Sequence, residues 1–233
     1  RRQAAALEES RRADSLAALE KPAPGDTAIG AAAAVVAGAP RDSASVERGA
    51  FLASSGTAGE RRIAISTGRA RIVLTSAGGE VESVMLSEFA RKDGSPVELV
   101  PAGKPGGMRL SLLDNGQWKD LSTAEFESFV DGAAAAGGEE IVLGPGRDSA
   151  TVLFRRAGAD GELIERSYTF LRDSYEVAVR VELRREGSLA RTAAYSIGWE
   201  CGIPASESNI KDDHRKFAAL GKVGEEQYKT DMS

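Results

Sequence analysis

Residues able to carry acid–base, nucleophilic or metal chemistry are scarce in this chain. The only histidine among 233 residues is His214, in the sequence DDHRK. With Asp212 and Asp213 it could ligate a metal, but adjacent helical residues point in different directions and no ligand-type residue lies four positions away. A single histidine also leaves Ser-His-Asp and Cys-His catalysis without a base, unless folding brings His214 to Cys201 or to a serine. We therefore expect no catalytic residue, no metal site and no cofactor.

Two acidic pairs are the next candidates for chemistry. Glu80 and Glu82 are two positions apart, so on a strand their side chains share one face and could converge on a substrate, as paired acids do in glycoside hydrolysis. Glu139 and Glu140 form the second pair. The simpler interpretation of Glu80 and Glu82 is the solvated face of a strand.

Glycines, tryptophans and the single cysteine have structural interpretations as well as functional ones. Gly78 and Gly79 could cradle a phosphate, but no helix pattern or Lys-Ser/Thr signature follows them, and a tight turn between two strands explains both. Trp118 and Trp199 could stack on sugars, although burial in a sandwich core is the commoner case. Cys201 is interpreted as a small buried hydrophobe.

The elements that would position these residues are mostly short β-strands. In SYEVAVRVELRRE the apolar residues alternate with polar or small ones, which predicts one face in the core and one in water. Residues 172–174 predict a short hairpin connection to the preceding run, ELIERSYTFL. Eight further runs have strand character: RRIAIST, RARIVLTS, EVESVMLSEF, PVELV, MRLSLL, EEIVLG, SATVLFRR and ARTAAYSIGWE.

These runs predict an all-β, antiparallel sandwich, because no helical pattern of crossover length separates consecutive strands. Two segments break the pattern. Ser122–Val130 has a Ser cap followed by acidic residues and predicts one or two helical turns. Asp212–Leu220 predicts a short C-terminal helix closed by Gly221. Phe217 and Leu220 lie three apart on that helix, so we expect them to dock one helix face.

Composition restricts the possible partners. The chain is 42% hydrophobic and 28% charged, which is typical of a globular protein. Its net charge of -5 comes from interspersed acids and bases without a basic run, so we expect no nucleic-acid partner. Cys201 is the only cysteine, which excludes an intramolecular disulfide.

Residues 1–50 differ in texture from the rest of the chain. Arg1–Lys21 is rich in helix formers, and the mixture of Ala, Gly, Pro and Asp in Pro22–Ala50 predicts a flexible tether. We therefore expect a tether over residues 1–50 and a folded domain over residues 51–233. No stretch approaches the roughly 20 apolar residues of a membrane span. The chain has neither an initiating Met nor a signal peptide, so we expect a processed or excised piece of a longer protein.

Three blocks of sequence in fixed order are the most informative feature. The first is IAISTGRARIVLTSAGGEVESVMLSEF with GSPVELVP, the second is GELIERSYTFLRDSYEVAVRVEL, and the third is YSIGWECGIPASESNIKDD. Together they span Ile63 to about Lys222. In order and spacing they resemble the large periplasmic domain of the YidC membrane protein insertases. Arg166 stands where that family more often has a Lys.

The resemblance implies a twisted β-sandwich related to sugar mutarotases, a galactose mutarotase-like supersandwich. It implies a domain on the periplasmic side of the bacterial inner membrane, attached through membrane spans that this chain does not contain, with residues 1–50 as the juxtamembrane helix and tether. The implied partners are the Sec translocon and nascent membrane proteins. The intramembrane groove of the insertases has no counterpart here, so the resemblance transfers no site residue.

Two other functions remain open at this point. A carbohydrate-binding or carbohydrate-active sandwich is suggested by the related fold, although mutarotase chemistry needs a general acid and base that one histidine supplies poorly. A periplasmic adhesion or assembly module is the third possibility.

Overall fold

The computed structural model describes residues 51, 59–101, 103–104, 106–158, 160–205 and 218–231. Within them the chain forms fifteen β-strands and a short 3₁₀ helix, Gly187–Arg191. The strands, in chain order, are β1 (Arg62–Ser66), β2 (Ala70–Thr75), β3 (Val81–Ala90), β4 (Pro96–Glu98), β5 (Arg109–Asp114), β6 (Gln117–Asp120), β7 (Glu127–Val130), β8 (Ala133–Ala134), β9 (Glu139–Val142), β10 (Ser149–Ala157), β11 (Leu163–Leu171), β12 (Val177–Arg184), β13 (Thr192–Gly198), β14 (Ala218–Val223) and β15 (Glu226–Asp231).

The strands form three sheets and a separate hairpin. The first sheet has the order β4-β3-β2-β1-β9, the second has the order β12-β11-β10-β7-β8, the third has the order β13-β5-β6, and β14 pairs with β15. All pairs are antiparallel except β1 with β9, which are parallel. The all-β antiparallel sandwich predicted from the strand pattern is confirmed, as are its ten predicted strands.

Alternation with a period of two explains how the sandwich acquires its core. Along β10 and β11 every second residue is buried, and the two strands pair over nine positions. The predicted hairpin between β11 and β12 is also confirmed, since Phe170 pairs with Val177 and Asp173 adopts a φ of 54° in the connection. Side chains from all three sheets join one apolar cluster, whose largest fully buried members include Leu74, Leu110, Phe154, Tyr168 and Phe170.

The helical turns predicted for Ser122–Val130 are wrong. Ser122 does not cap a helix; its N–H and hydroxyl donate to the Asp120 carboxylate at 2.8 and 2.9 Å, which makes a turn. The chain then enters β7, where Phe129 pairs with Leu153 of β10. Pairing with a neighbouring strand therefore outweighs the local signal for a helix start.

The predicted C-terminal helix is wrong over residues 218–220, the part of it that the structure describes. Residues 206–217 lie outside the described residues, while Ala218–Val223 is the strand β14. Gly221 is not a helix cap, because it sits within this strand opposite Tyr228. The turn of the hairpin uses Gly224 instead, with a φ of 59°.

The predicted helix and tether of residues 1–50 also lie outside the described residues, and the domain boundary near residue 50 stays a prediction. Phe51 is described and buried, and its carbonyl accepts a hydrogen bond of 2.9 Å from the Arg156 guanidinium. Among the described residues, no helix has the length and apolar character needed to cross a bilayer.

Candidate functional site

A charged cavity of about 590 Å³ opens beside the start of β3. Four carboxylates and three cationic side chains line it: Glu60, Glu80, Glu82, Glu98, Arg62, Lys104 and Arg109. Hydroxyl groups of Thr75, Ser83, Ser122 and Thr123 add hydrogen-bonding capacity. No aromatic side chain of the described residues lines the cavity, so its wall suits ionic and hydrogen-bonding ligands.

The turn between β2 and β3 sets the position of Glu80. Gly78 and Gly79 both adopt positive φ, at 67° and 62°, which confirms the predicted tight turn. Side chains there would also collide, since a Cβ on Gly78 would lie 2.9 Å from the Ser122 Cα. The Glu80 carbonyl accepts a hydrogen bond of 3.0 Å from the Thr75 N–H. The turn thus directs Glu80 inward at the base of the cavity.

Glu80 is the most buried carboxylate of the cavity, with 2% of the residue exposed. Its Oε1 accepts a hydrogen bond of 3.1 Å from Nε of Arg109. The Arg109 Nη1 in turn lies 3.1 Å from Glu200 and 3.8 Å from Asp120, so one guanidinium faces three carboxylates. Burial raises the pKa of the Glu80 carboxyl, and the charge of Arg109 opposes this only in part.

Two side chains of β11 donate hydrogen bonds to the carbonyl groups of this turn. Arg166 is fully buried, and its guanidinium donates to the carbonyls of Gly78, at 3.3 Å, and of Met108. The Tyr168 hydroxyl donates to the Gly79 carbonyl at 2.7 Å. The Arg166 guanidinium also lies over the Tyr168 ring, 5.1 Å from its centroid. Arg166 shares strand parity with the buried residues Ile164, Tyr168 and Phe170, although its charged type by itself predicts an exposed position.

Replacing Glu80 with Gln should change the pH dependence of stability. Because burial raises the pKa of Glu80 above its ordinary value of 4.5, the folded protein keeps this proton at pH values where the unfolded chain has lost it. The resulting stability is complete below the unfolded pKa and is lost as the pH rises through the raised folded pKa. Gln stays neutral, so the free energy of unfolding of Glu80→Gln should gain on that of the wild type as the pH rises above 4.5, the ordinary pKa of the carboxyl. Urea denaturation at several pH values measures this; the opposite trend would contradict it.

The two predicted acidic pairs have different surroundings in the structure. Glu80 and Glu82 line the same cavity, but Glu82 forms an ion pair of 2.7 Å with Arg62 and does not join Glu80. The expectation of a solvated face is wrong for Glu80, because the turn and Arg109 draw it inward. Glu140 is exposed on β9, and hydrogen bonds from Arg71 and Ser66 lower the pKa of its carboxyl.

Trp199 and Cys201 pack on the apolar core, whereas Trp118 lies half-buried on β6. Trp199 packs against the apolar cluster, and its indole N–H donates to the Gly202 carbonyl at 3.0 Å. Trp118 is half-buried on β6 opposite Leu113. Cys201 packs on the same cluster as Trp199, and burial raises the pKa of its thiol, which disfavours the nucleophilic thiolate.

The remaining predicted residues lie at the C-terminal end. His214 and Phe217 are outside the described residues, so the structure does not place them beside other groups. Leu220 is 77% exposed on β14, opposite Lys229 of β15. Within the described residues, no group of three or more His, Cys, Asp or Glu side chains is arranged to hold a metal ion.

Comparisons with known proteins give one consistent result. The family model of the YidC periplasmic domain matches residues 62–231. A membrane protein insertase YidC from Chlorobium luteolum is 29% identical over 180 residues, which are 77% of this chain and 29% of that relative. One from Chlorobaculum tepidum is 29% identical over 201 residues, 85% of this chain and 32% of the relative. One from Pelodictyon phaeoclathratiforme is 26% identical over 185 residues, 79% of this chain and 30% of the relative. The chain thus spans about 30% of the length of these curated relatives.

Proposed function

This chain belongs to the YidC periplasmic domain family, and on that premise we propose that it is a non-catalytic domain that assists a membrane protein insertase. The observation that carries the proposal is the family match over residues 62–231, which contains all fifteen strands in full. The relatives named as insertases support it, because their similarity to this chain covers most of the described sandwich.

The proposal places the domain on the periplasmic side of the bacterial inner membrane. Residues 1–50 serve as the tether, and attachment occurs through membrane spans of the full-length protein. Its partners are the Sec translocon and nascent membrane proteins. Phe217 and Leu220 are proposed as docking residues between the domain and the insertase. The exposed side chain of Leu220 on β14 supports this assignment, since an isolated strand hairpin offers it no internal packing.

A carbohydrate-active sandwich is the weaker alternative. None of the matched relatives described above is named for a carbohydrate activity. The chain has one histidine, and the charged cavity has no aromatic wall among its described residues on which a sugar ring could stack.

The docking proposal predicts a defect in insertion. Replacing Phe217 and Leu220 by Ser in the full-length protein should lower the insertion of a test membrane protein by roughly five-fold, as expected from losing about 1 kcal/mol of apolar contact. Deleting Arg1–Arg48 should have a smaller effect, because a tether contributes reach rather than contacts. Insertion into proteoliposomes, at matched amounts of each variant, measures both.

The matched control is Tyr228→Ser, which removes an exposed apolar side chain from the other face of the same hairpin. This variant should insert as the wild type does. Full activity of the double replacement, or an equal defect in the control, would contradict docking through Phe217 and Leu220. Mutarotation of glucose or galactose by the domain would contradict the non-catalytic function itself.

A further inference from the structure

The strand β13 lies at an open edge of the third sheet. It pairs with β5 and, among the described residues, with no other strand, so one side of its backbone has N–H and C=O groups without strand partners. Every residue from Ala193 to Ile197 is exposed, whichever face of the strand it occupies. Both the edge and the faces of this strand are therefore accessible to a partner.

The sequence of β13 lacks the residues that usually protect such an edge. Natural sheet edges carry charged side chains or proline, or are very short, because these features prevent pairing with another chain. Of the other edge strands in the three described sheets, β4 begins with Pro96, β6, β9 and β12 contain charged residues, and β8 has two residues. β13, with the sequence TAAYSIG, has neither a charge nor a proline. Its register shift is confined to its start, between Thr192 and Ala194, so residues 194–197 form a regular edge suited to a further strand.

The face of β13 on the core side also carries exposed apolar side chains. Tyr195 pairs with Leu112 and Ile197 pairs with Leu110, and both leucines are fully buried. Since paired residues of antiparallel strands share a face, Tyr195 and Ile197 extend the apolar face of the sheet. They are nevertheless 52% and 36% exposed. An added strand with apolar residues at matching positions would continue this face and cover them in part.

The charges that flank β13 favour a second copy of the same strand in antiparallel orientation. Arg191 precedes the strand and is exposed, and Glu200 follows it, with its side chain 48% exposed beside Arg109. Antiparallel pairing of two copies brings Arg191 of one toward Glu200 of the other, whereas parallel pairing would bring like charges together. The strand between these ends is uncharged, so two copies of it meet without repulsion.

We propose that two copies of this chain pair through β13, antiparallel about a two-fold axis at Tyr195. In this register Tyr195 lies opposite its counterpart, and Ala194 lies opposite Ser196, so small side chains meet small ones on the outer face. The two three-stranded sheets become one six-stranded sheet with the order β6-β5-β13-β13-β5-β6. One short strand pair buries less area than a standard interface, so we expect a dissociation constant between about 10 µM and 1 mM.

Sedimentation equilibrium of the 233-residue chain between about 5 µM and 1 mM tests the pairing. The weight-average mass should rise from that of the monomer toward twice that value. Hydrogen exchange at residues 193–197 should be at least about five-fold slower at the highest concentration than at the lowest, while the edge strand β12 should not change. A monomer at every concentration would overturn the proposal and leave this edge to a strand of another protein. A dimer without added protection of β13, or assembly beyond a dimer, would overturn it too.

Exchange of charge at Tyr195 locates the two-fold axis. Tyr195→Lys places two like charges opposite each other and should raise the dissociation constant by about ten-fold, and Tyr195→Glu should do the same. An equimolar mixture of the two variants should dimerise again, which an unfolded variant could not do. The matched control is Val142→Lys, which changes an apolar residue that is 64% exposed on the edge strand β9, and it should dimerise as the wild type does. A mixture no better than either variant, or an equal loss in Val142→Lys, would overturn the proposal.

Discussion

Replacing Arg166 by Met should lower the free energy of unfolding by about 3 kcal/mol. The carbonyls of Gly78, which is buried, and of Met108, which is half-buried, would lose their common donor, and an unsatisfied buried group costs about 1–3 kcal/mol. Relief from burying a charge offsets part of this cost. Urea denaturation followed by circular dichroism measures the change.

The control for Arg166 is Arg180→Met on β12. Arg180 is exposed and forms an ion pair with Glu182 at 2.6 Å, so its loss should cost no more than about 0.5 kcal/mol. Arg166→Lys should recover only part of the stability, because an ammonium group lacks the planar fork that serves two carbonyls. Wild-type stability of Arg166→Met would show that the turn at Gly78 does not depend on these hydrogen bonds.

Replacing Phe154 by Ala should lower the free energy of unfolding by about 3–5 kcal/mol. Phe154 is fully buried on β10 and meets Tyr168 edge to face, with ring centroids 6.2 Å apart. A Cβ on Gly79 would lie 3.3 Å from the Phe154 side chain, so the ring also packs against the turn that positions Glu80. Urea denaturation measures this change as well. A shift of the Glu80 amide NMR signal would show that the turn has also moved.

Phe129→Ala is the matched control for Phe154. Phe129 lies on β7 with opposite parity and is half-buried, with the Arg155 guanidinium 5.3 Å from its ring centroid. Its removal should cost about 1 kcal/mol, since less apolar area and one partly exposed cation–π contact are lost. Equal losses in both Phe variants would contradict the assignment of the core face of the second sheet.

Alternating patterns made much of the fold predictable. Along β10, β11 and β12 the period of two identifies the inner face from the sequence, because successive side chains of a strand point to opposite sides. Val179 illustrates this, since it packs toward the core while Arg180 is exposed. The tight turn at Gly78 and Gly79 was equally local in origin. The order of the three sequence blocks by itself indicates the family.

Segments with conflicting local signals were not predictable in this way. Residues 122–130 carry a helix-start pattern, yet β7 forms because β10 offers it hydrogen-bond partners. Ala218–Val223 contains good helix formers, yet it pairs with β15 across the Gly224 turn. The parallel pair of β1 with β9 joins residues 76 positions apart in the chain, a separation that no local pattern encodes.

The candidate site likewise has features that the sequence predicts and features that only the tertiary structure determines. The sequence alone determines that the chain has one histidine, that it has two acidic pairs, and that two glycines form the turn. Only the tertiary structure showed that Glu80 is buried and faces Arg109, 29 positions away, while Arg166 supports the same turn from β11, 88 positions from Gly78. The physical reason is that the burial of a charged side chain depends on partners brought from distant strands. Without those partners the same residues would lie in water, as their types alone suggest.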